Sequence, residues 1–224
     1  MSKESSHRVD TTGNTYTDLG AHTREAFEIS EKSRKLARKI IGNETVEDRV
    51  RQRCSVAVGD FAMADLLEFR LEPVNAGILA LERGAPLICD IRMVQVGIQK
   101  RGHRSDVLCA LDYGSDLAVK EGITRTSAGF RAMQDRLDGA VIVIGNAPSA
   151  LLSVCEMVRQ GIIPALVIGT PVGFVNAAES KEELRKMPVP SISNTGTRGG
   201  TPVAVAAINE IITIFSEISK EKEQ

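Results

Sequence analysis

AVIVIGNAPSALLSVCEMVRQGIIPALVIGTPVGFVN, residues 140–176, holds two short apolar runs, Ala140 to Gly145 and Ala165 to Thr170. Between them lies a helical stretch that begins near Pro148 and stops at Gly161. Neither run alternates with polar residues, so each reads as a strand covered on both faces. A strand, a helix and a second such strand make a βαβ unit with a right-handed crossover.

The same rhythm extends outward. PLICD (86–90), DVLCAL (106–111) and VPSISN (189–194) are three further strand candidates, for five in all. The segment IRMVQVGI, the stretch from about Arg125 to Leu137 and the stretch from Thr201 to Ile218 carry helical spacing. Before them come helices from Thr23 to Gly42, Val46 to Arg53 and Pro73 to Gly84. CSVAVGDFAMADLLEF (54–69) turns at Gly59-Asp60 and resumes as a helix. The pattern predicts an α/β fold: a doubly wound, mainly parallel five-stranded sheet with helices on both faces. One domain covers 23–218, after a flexible amino-terminal arm (1–22) without hydrophobic period and before a charged tail (219–224).

Composition narrows the function. The 224 residues carry a formal net charge of -1, against a general nucleic-acid binder, and aromatic residues are 4% with no Trp, against a base-stacking platform. No stretch reads as a secretory signal or a membrane span, so a cytoplasmic protein without nucleic-acid or membrane partners is expected. Cys54, Cys89, Cys109 and Cys155 lack metal-ligand spacing and read as small buried hydrophobes, so no metal is expected.

In open parallel sheets the ligand binds beyond the carboxyl ends of the strands. The residues there are polar and glycine-rich: Asp90, then Gly145 to Pro148, then Gly169 to Asn176, then Asn194 to Thr201. In the last loop Gly196, Arg198, Gly199 and Gly200 directly precede a helix, which supplies exposed donors and charge for an anion. The bland alternative is a tight turn. Thr124-Arg125-Thr126-Ser127 is a second such helix start, with plain capping as its alternative. Neither the phosphate-binding nor the dinucleotide glycine motif occurs, and no nucleophile elbow is present. Asp60 reads equally as an acid or base and as a cap, and His103, between two arginines, as a solvated loop residue.

The runs GNAPSALLSVCEMVRQGIIPALVIGTPVGFVNAAESKEEL and NTGTRGGTPVAVAAINEI, with GDFAMADL, LICDIRMVQVGI and GITRTSAGF, closely resemble the precorrin-8X methylmutase family, its cobalt-precorrin-8 form included. The resemblance runs from about Thr23 to Ile212 and is most specific over PVGFVNAAESKE. It implies a flavodoxin-like fold, a homodimer holding the macrocycle between subunits, and a corrinoid substrate on which a ring methyl moves from C-11 to C-12. No separate cofactor is implied, since the migrating methyl is already on the substrate. Asp90, Thr124, Arg125, Asn146, Arg198 and Gly199 match family positions at the pocket, and Lys32-Ser33 falls where the family has Arg-Ser. The family histidine, in a pattern like R-x-x-H-A-[TC]-G-D, corresponds to Val56, which cannot exchange a proton. The catalytic acid is therefore unassigned; His22 and His103 are the histidines left to approach in space. Two readings follow: an active methylmutase, or a catalytically silent tetrapyrrole-binding relative acting as carrier or interaction partner.

Overall fold

The computed structural model describes residues 24–222; the anticipated arm, with His7 and His22, lies outside the described residues, as do residues 223 and 224. In chain order the elements are α1 (Arg24–Ile41), α2 (Val46–Val58), α3 (Met63–Leu66), β1 (Leu67–Arg70), α4 (Pro73–Glu82) and β2 (Leu87–Cys89). They continue as α5 (Arg92–Gly97), β3 (Val107–Cys109), α6 (Ser115–Glu121), α7 (Arg125–Ala132), β4 (Val141–Ile144) and α8 (Pro148–Arg159). The last are β5 (Leu166–Gly169), α9 (Ala177–Arg185), β6 (Ser191–Asn194) and α10 (Thr201–Lys222).

The strands form one sheet in the order β1-β6-β5-β4-β2-β3. Strands β2 to β6 are parallel and are the five expected from the sequence. Counted among themselves they follow the flavodoxin order, roughly 2-1-3-4-5, whose winding reverses between β2 and β4. The sheet has a sixth strand as well. Residues 67–69, expected to be helical, and Arg70 after them pair antiparallel with β6, Leu67 opposite Asn194 and Arg70 opposite Ser191. Pairing to an open sheet edge overrides local propensity here. Arg51 secures the junction: its Nη1 donates to the carbonyls of Ala64 (2.7 Å) and Leu67 (2.8 Å), and its guanidinium lies 4.6 Å from the Phe69 ring centre. Helices α6 and α9 are also additions to the sequence expectation, short elements whose polar outer faces blur the period.

Successive side chains of β4 feed opposite cores. Val141 and Val143 pack with the α10 face, Ile142 and Ile144 with the α7–α8 face. Helix α10 corrects the expectation that no stretch is long and apolar enough for a membrane span: its 22 residues are, and 67% of its apolar stretch is buried, as in a core helix. It also outruns the anticipated end at Ile218. Ser219 Oγ donates to the Phe215 carbonyl (2.9 Å) and Lys222 pairs with Glu82 (3.1 Å). All four cysteines are free and buried; burial pushes the Cys54 thiol up to about 12.

One polar cluster fixes α1 and α2 on α10. Glu210, 1% exposed, accepts from Arg49 Nε (2.9 Å), Arg53 Nη1 (3.0 Å) and Arg34 Nη2 (3.3 Å), and Arg49 also pairs with Glu217 (2.7 Å). The carboxylate is thus compensated by cations from both outer helices, as a buried charge requires. It sets the axial position of α2, and with it Val56 and Asp60.

Candidate functional site

Asp90, at the carboxyl end of β2, is fully buried. Its Oδ2 accepts from the backbone N–H of Asn146 (2.8 Å) and Ala147 (2.9 Å), and its Oδ1 from Gly145 N–H (3.3 Å). Burial pushes the carboxyl above its ordinary range, while these backbone donors pull it back. Asp90 therefore acts under the β4–α8 loop and presents no oxygen to solvent. It orients the loop at the winding reversal, where Asn146 is left exposed.

The next loops close on that one. A Cβ on Gly145 would lie 2.8 Å from Thr201 Cα, so the β4–α8 loop touches the start of α10. Gly200 N–H donates to the Thr170 carbonyl (2.7 Å) and Gly173 N–H to the Thr197 carbonyl (3.1 Å), which joins the β5–α9 and β6–α10 loops. Gly199 has φ 141, and a Cβ there would lie 2.3 Å from the Thr170 carbonyl oxygen. The glycine is required by contact as well as by dihedral. Gly199→Ala is expected to leave the fold intact and weaken corrinoid binding about tenfold, since forcing this loop apart costs about 1–3 kcal/mol; wild-type affinity in titration would count against it.

Thr124 caps α7, accepting from Ser127 N–H (3.3 Å), and its hydroxyl is 2.8 Å from that of Ser149 at the start of α8. This contact brings Thr124 and the exposed Arg125 to the same edge as Asn146. Arg125 opens a helix whose first turn holds no acid, an unfavourable place for a cation unless an anion arrives. On the other side Arg198 is ion-paired with Asp60, two residues past the end of α2. That hydrogen bond, with one from Ala62 N–H (2.9 Å), holds the Asp60 carboxyl below its ordinary range. Asp60 thus serves as a loop clamp. Val56 lies one turn before it, 41% exposed on the last turn of α2.

The backbone N–H groups of Thr197, Arg198, Gly199 and Thr201 have no acceptor among the described residues. With Gly196 and Gly200 also at positive φ, they form a run of unengaged donors at the start of a long helix. The expected site residues from Val56 to Gly199 therefore share one edge. Lys32 and Ser33 do not join it: Lys32 is exposed on α1, and Ser33 Oγ donates to the Ile29 carbonyl of its own helix (3.0 Å).

His103 is also elsewhere. It precedes β3 and so lies at the amino edge of the parallel sheet, where the neighbouring Gly102 contacts Ser216 far down α10. Ser105 N–H donates to its Nδ1 (3.1 Å), which leaves Nε2 to donate to the Gln99 carbonyl (2.8 Å). Both ring nitrogens are committed to the loop. Its approach to the site is excluded.

Sequence reasoning missed Lys181. It is fully buried on α9, and its Nζ donates to the Arg198 carbonyl (2.6 Å) and to Asn194 Oδ1 (3.3 Å), directly behind the row of donors. The available signal was its helical spacing with the buried Ala177 and Leu184. A separate cleft of about 680 Å³ borders the Asp60 turn, but Asp48, Asp65 and Glu68 line it and Arg51 is engaged by carbonyls, the wrong balance for an anion.

Comparison with known proteins agrees with this geometry. A family model described as precorrin-8X methylmutase matches residues 28–214. The chain is 41% identical over 207 residues to a cobalt-precorrin-8 methylmutase of Methanocaldococcus jannaschii, covering 87% of this chain and 96% of that protein. It is 40% identical over 164 residues to a precorrin-8X methylmutase of Pseudomonas aeruginosa, covering 70% and 79%. The solved structure of a precorrin-8X methylmutase from Thermus thermophilus superposes with a TM-score of 0.78 at 34% identity, covering 85% of this chain and 97% of that one.

Proposed function

The chain belongs to the precorrin-8X methylmutase family, and from that premise we propose that its converging loops hold a corrinoid polycarboxylate while a ring methyl migrates from C-11 to C-12. The family is one of isomerases in cobalamin biosynthesis. The observation that carries the reading is the row of unengaged N–H donors, with Arg125 and Arg198 at the same edge. Acetate and propionate arms of the ring are matched by such donors and by the exposed Arg125 guanidinium. An intramolecular shift needs no second reactant, so fixing the ring and excluding other conformers supplies much of the acceleration. Cobalt, where present, belongs to the substrate.

The reading includes a homodimer in the cytoplasm. Phe174 and Val175, 95% and 76% exposed in the β5–α9 loop, offer an apolar patch beside the donors, and Lys32 is exposed on α1, where a partner could meet it. Four free cysteines suit a reducing compartment. Val56 favours the second reading, a silent tetrapyrrole-binding relative. Incubation with precorrin-8X and with cobalt-precorrin-8, followed by absorbance, separates the two: conversion is expected, and tight binding without conversion would leave only the carrier role. A solution mass near that of one 24.2 kDa chain would remove the dimer.

A further inference from the structure

Lys181 is the buried charge that the site described above does not use. Its ammonium has no carboxylate partner among the described residues; both acceptors, the Arg198 carbonyl and Asn194 Oδ1, are neutral. Buried cations ordinarily come with an anion. The surrounding charges do not supply one. On α9, Arg185 adds a like charge and donates to Ser193 Oγ (3.2 Å) and the Asn194 carbonyl (3.4 Å), while Glu183 pairs outward with Arg159 and Lys186. On α8, Glu156 pairs with Arg131 and Arg159 with Glu183. From the loop side Arg198 is matched by Asp60. Strands β5 and β6 contribute neutral groups, as does Thr170 just past β5, whose buried Oγ1 has no hydrogen-bond partner among the described residues.

The peptide between Arg198 and Gly199 connects Lys181 to the open side. No cis peptide occurs among the described residues, so this unit's C=O and N–H point in opposite directions. Its carbonyl is drawn inward by Lys181 and by Asn194 Nδ2 (2.5 Å), and the Gly199 N–H is therefore turned outward. Resting on the function proposed above, we infer that Lys181 is a positioning residue: it orients the Arg198–Gly199 peptide and provides the counter-charge that a substrate carboxylate seated in the loop neutralises. The ammonium polarises the peptide, and the peptide presents a stronger donor to the carboxylate. Lys181 acts through Arg198 and does not touch the ring.

The test is the pH dependence of binding of hydrogenobyrinate, the corrinoid that a C-11 to C-12 methyl shift on precorrin-8X yields and which keeps the same carboxylate arms. Burial, helped by Arg185, lowers the Lys181 ammonium to about 8 in the free protein. Substrate carboxylates stay ionised and arginines charged from pH 7 to 9.5. Binding that requires the protonated amine is full below that value and lost as pH rises through it, so Kd should grow about tenfold per pH unit beyond it. Lys181→Met should bind about ten- to a hundredfold more weakly at pH 7, with a flat profile. A flat wild-type profile, or a slope kept by the Met variant, overturns the inference while leaving the corrinoid site standing. Should the variant fail to fold, NMR titration of the wild-type Nζ decides: its pKa must rise on adding hydrogenobyrinate, and an unchanged value overturns the role. Absence of any binding at pH 7 overturns both this role and the proposed function.

Discussion

Replacing Val56 with histidine is expected to raise the methyl-migration rate by about 10²–10⁴-fold, the usual worth of a positioned general acid. The site tolerates the change. Val56 is 41% exposed on the last turn of α2, where surface substitutions typically move stability by no more than about 0.5 kcal/mol. The helix ends there in Gly59 at φ 67, and a cation near the last carbonyls is favoured by the macrodipole. The imidazole would stand one turn before Asp60, which Arg198 ties to the donor loop. Because the acid form is the active one, the variant's rate should fall as pH rises through a value near 6.5, an effect absent from the parent. Single-turnover absorbance at saturating substrate checks both points. A rise below threefold, or no new pH limb, would mean that the proton comes from another group or that protonation does not limit the rate. Val56→Ala, which removes side chain without adding chemistry, should match the parent.

The parallel sheet was legible because β2, β4 and β5 are continuous apolar runs with helical stretches between them, a pattern that buried strands impose and little else produces. Strand β1 was not, because four residues at a sheet edge carry too little period to outweigh the helical stretch before them, and only pairing with β6 decides the matter. The loops at the carboxyl edge were readable from their glycines. Their internal wiring was hidden: a sequence gives Asp90 and Arg198 as charges near a ligand, whereas the fold spends Asp90 on three backbone donors and Arg198 on Asp60. Lys181 escaped for the opposite reason. A lysine among glutamates reads as solvated surface until the helix carrying it is seen to press that face on β6.

Asp90→Ala is expected to lower stability by about 3–5 kcal/mol and to abolish tight corrinoid binding at the same time. Removing the carboxylate leaves the N–H groups of Gly145, Asn146 and Ala147 without their acceptor, and each buried donor so orphaned costs about 1–3 kcal/mol before water or a shifted loop recovers part of it. At about 2–4 °C per kcal/mol for a domain of this size, the melting temperature should fall by about 6–20 °C. The loop cannot relax quietly, since Gly145 is wedged against Thr201 at the root of the donor row. Asp90→Asn separates this role from direct contact with substrate. An amide keeps the shape and can still accept from Asn146 and Ala147, but turns its NH2 toward Gly145 N–H, so a clamp predicts that Asn loses a measurable part of the stability that Ala loses. A carboxylate working on the ring predicts instead an unchanged melting temperature with lost turnover. Thermal unfolding of both variants, read beside hydrogenobyrinate titration, distinguishes them, and a stable but inactive Asn variant would move Asp90 from loop support into the chemistry.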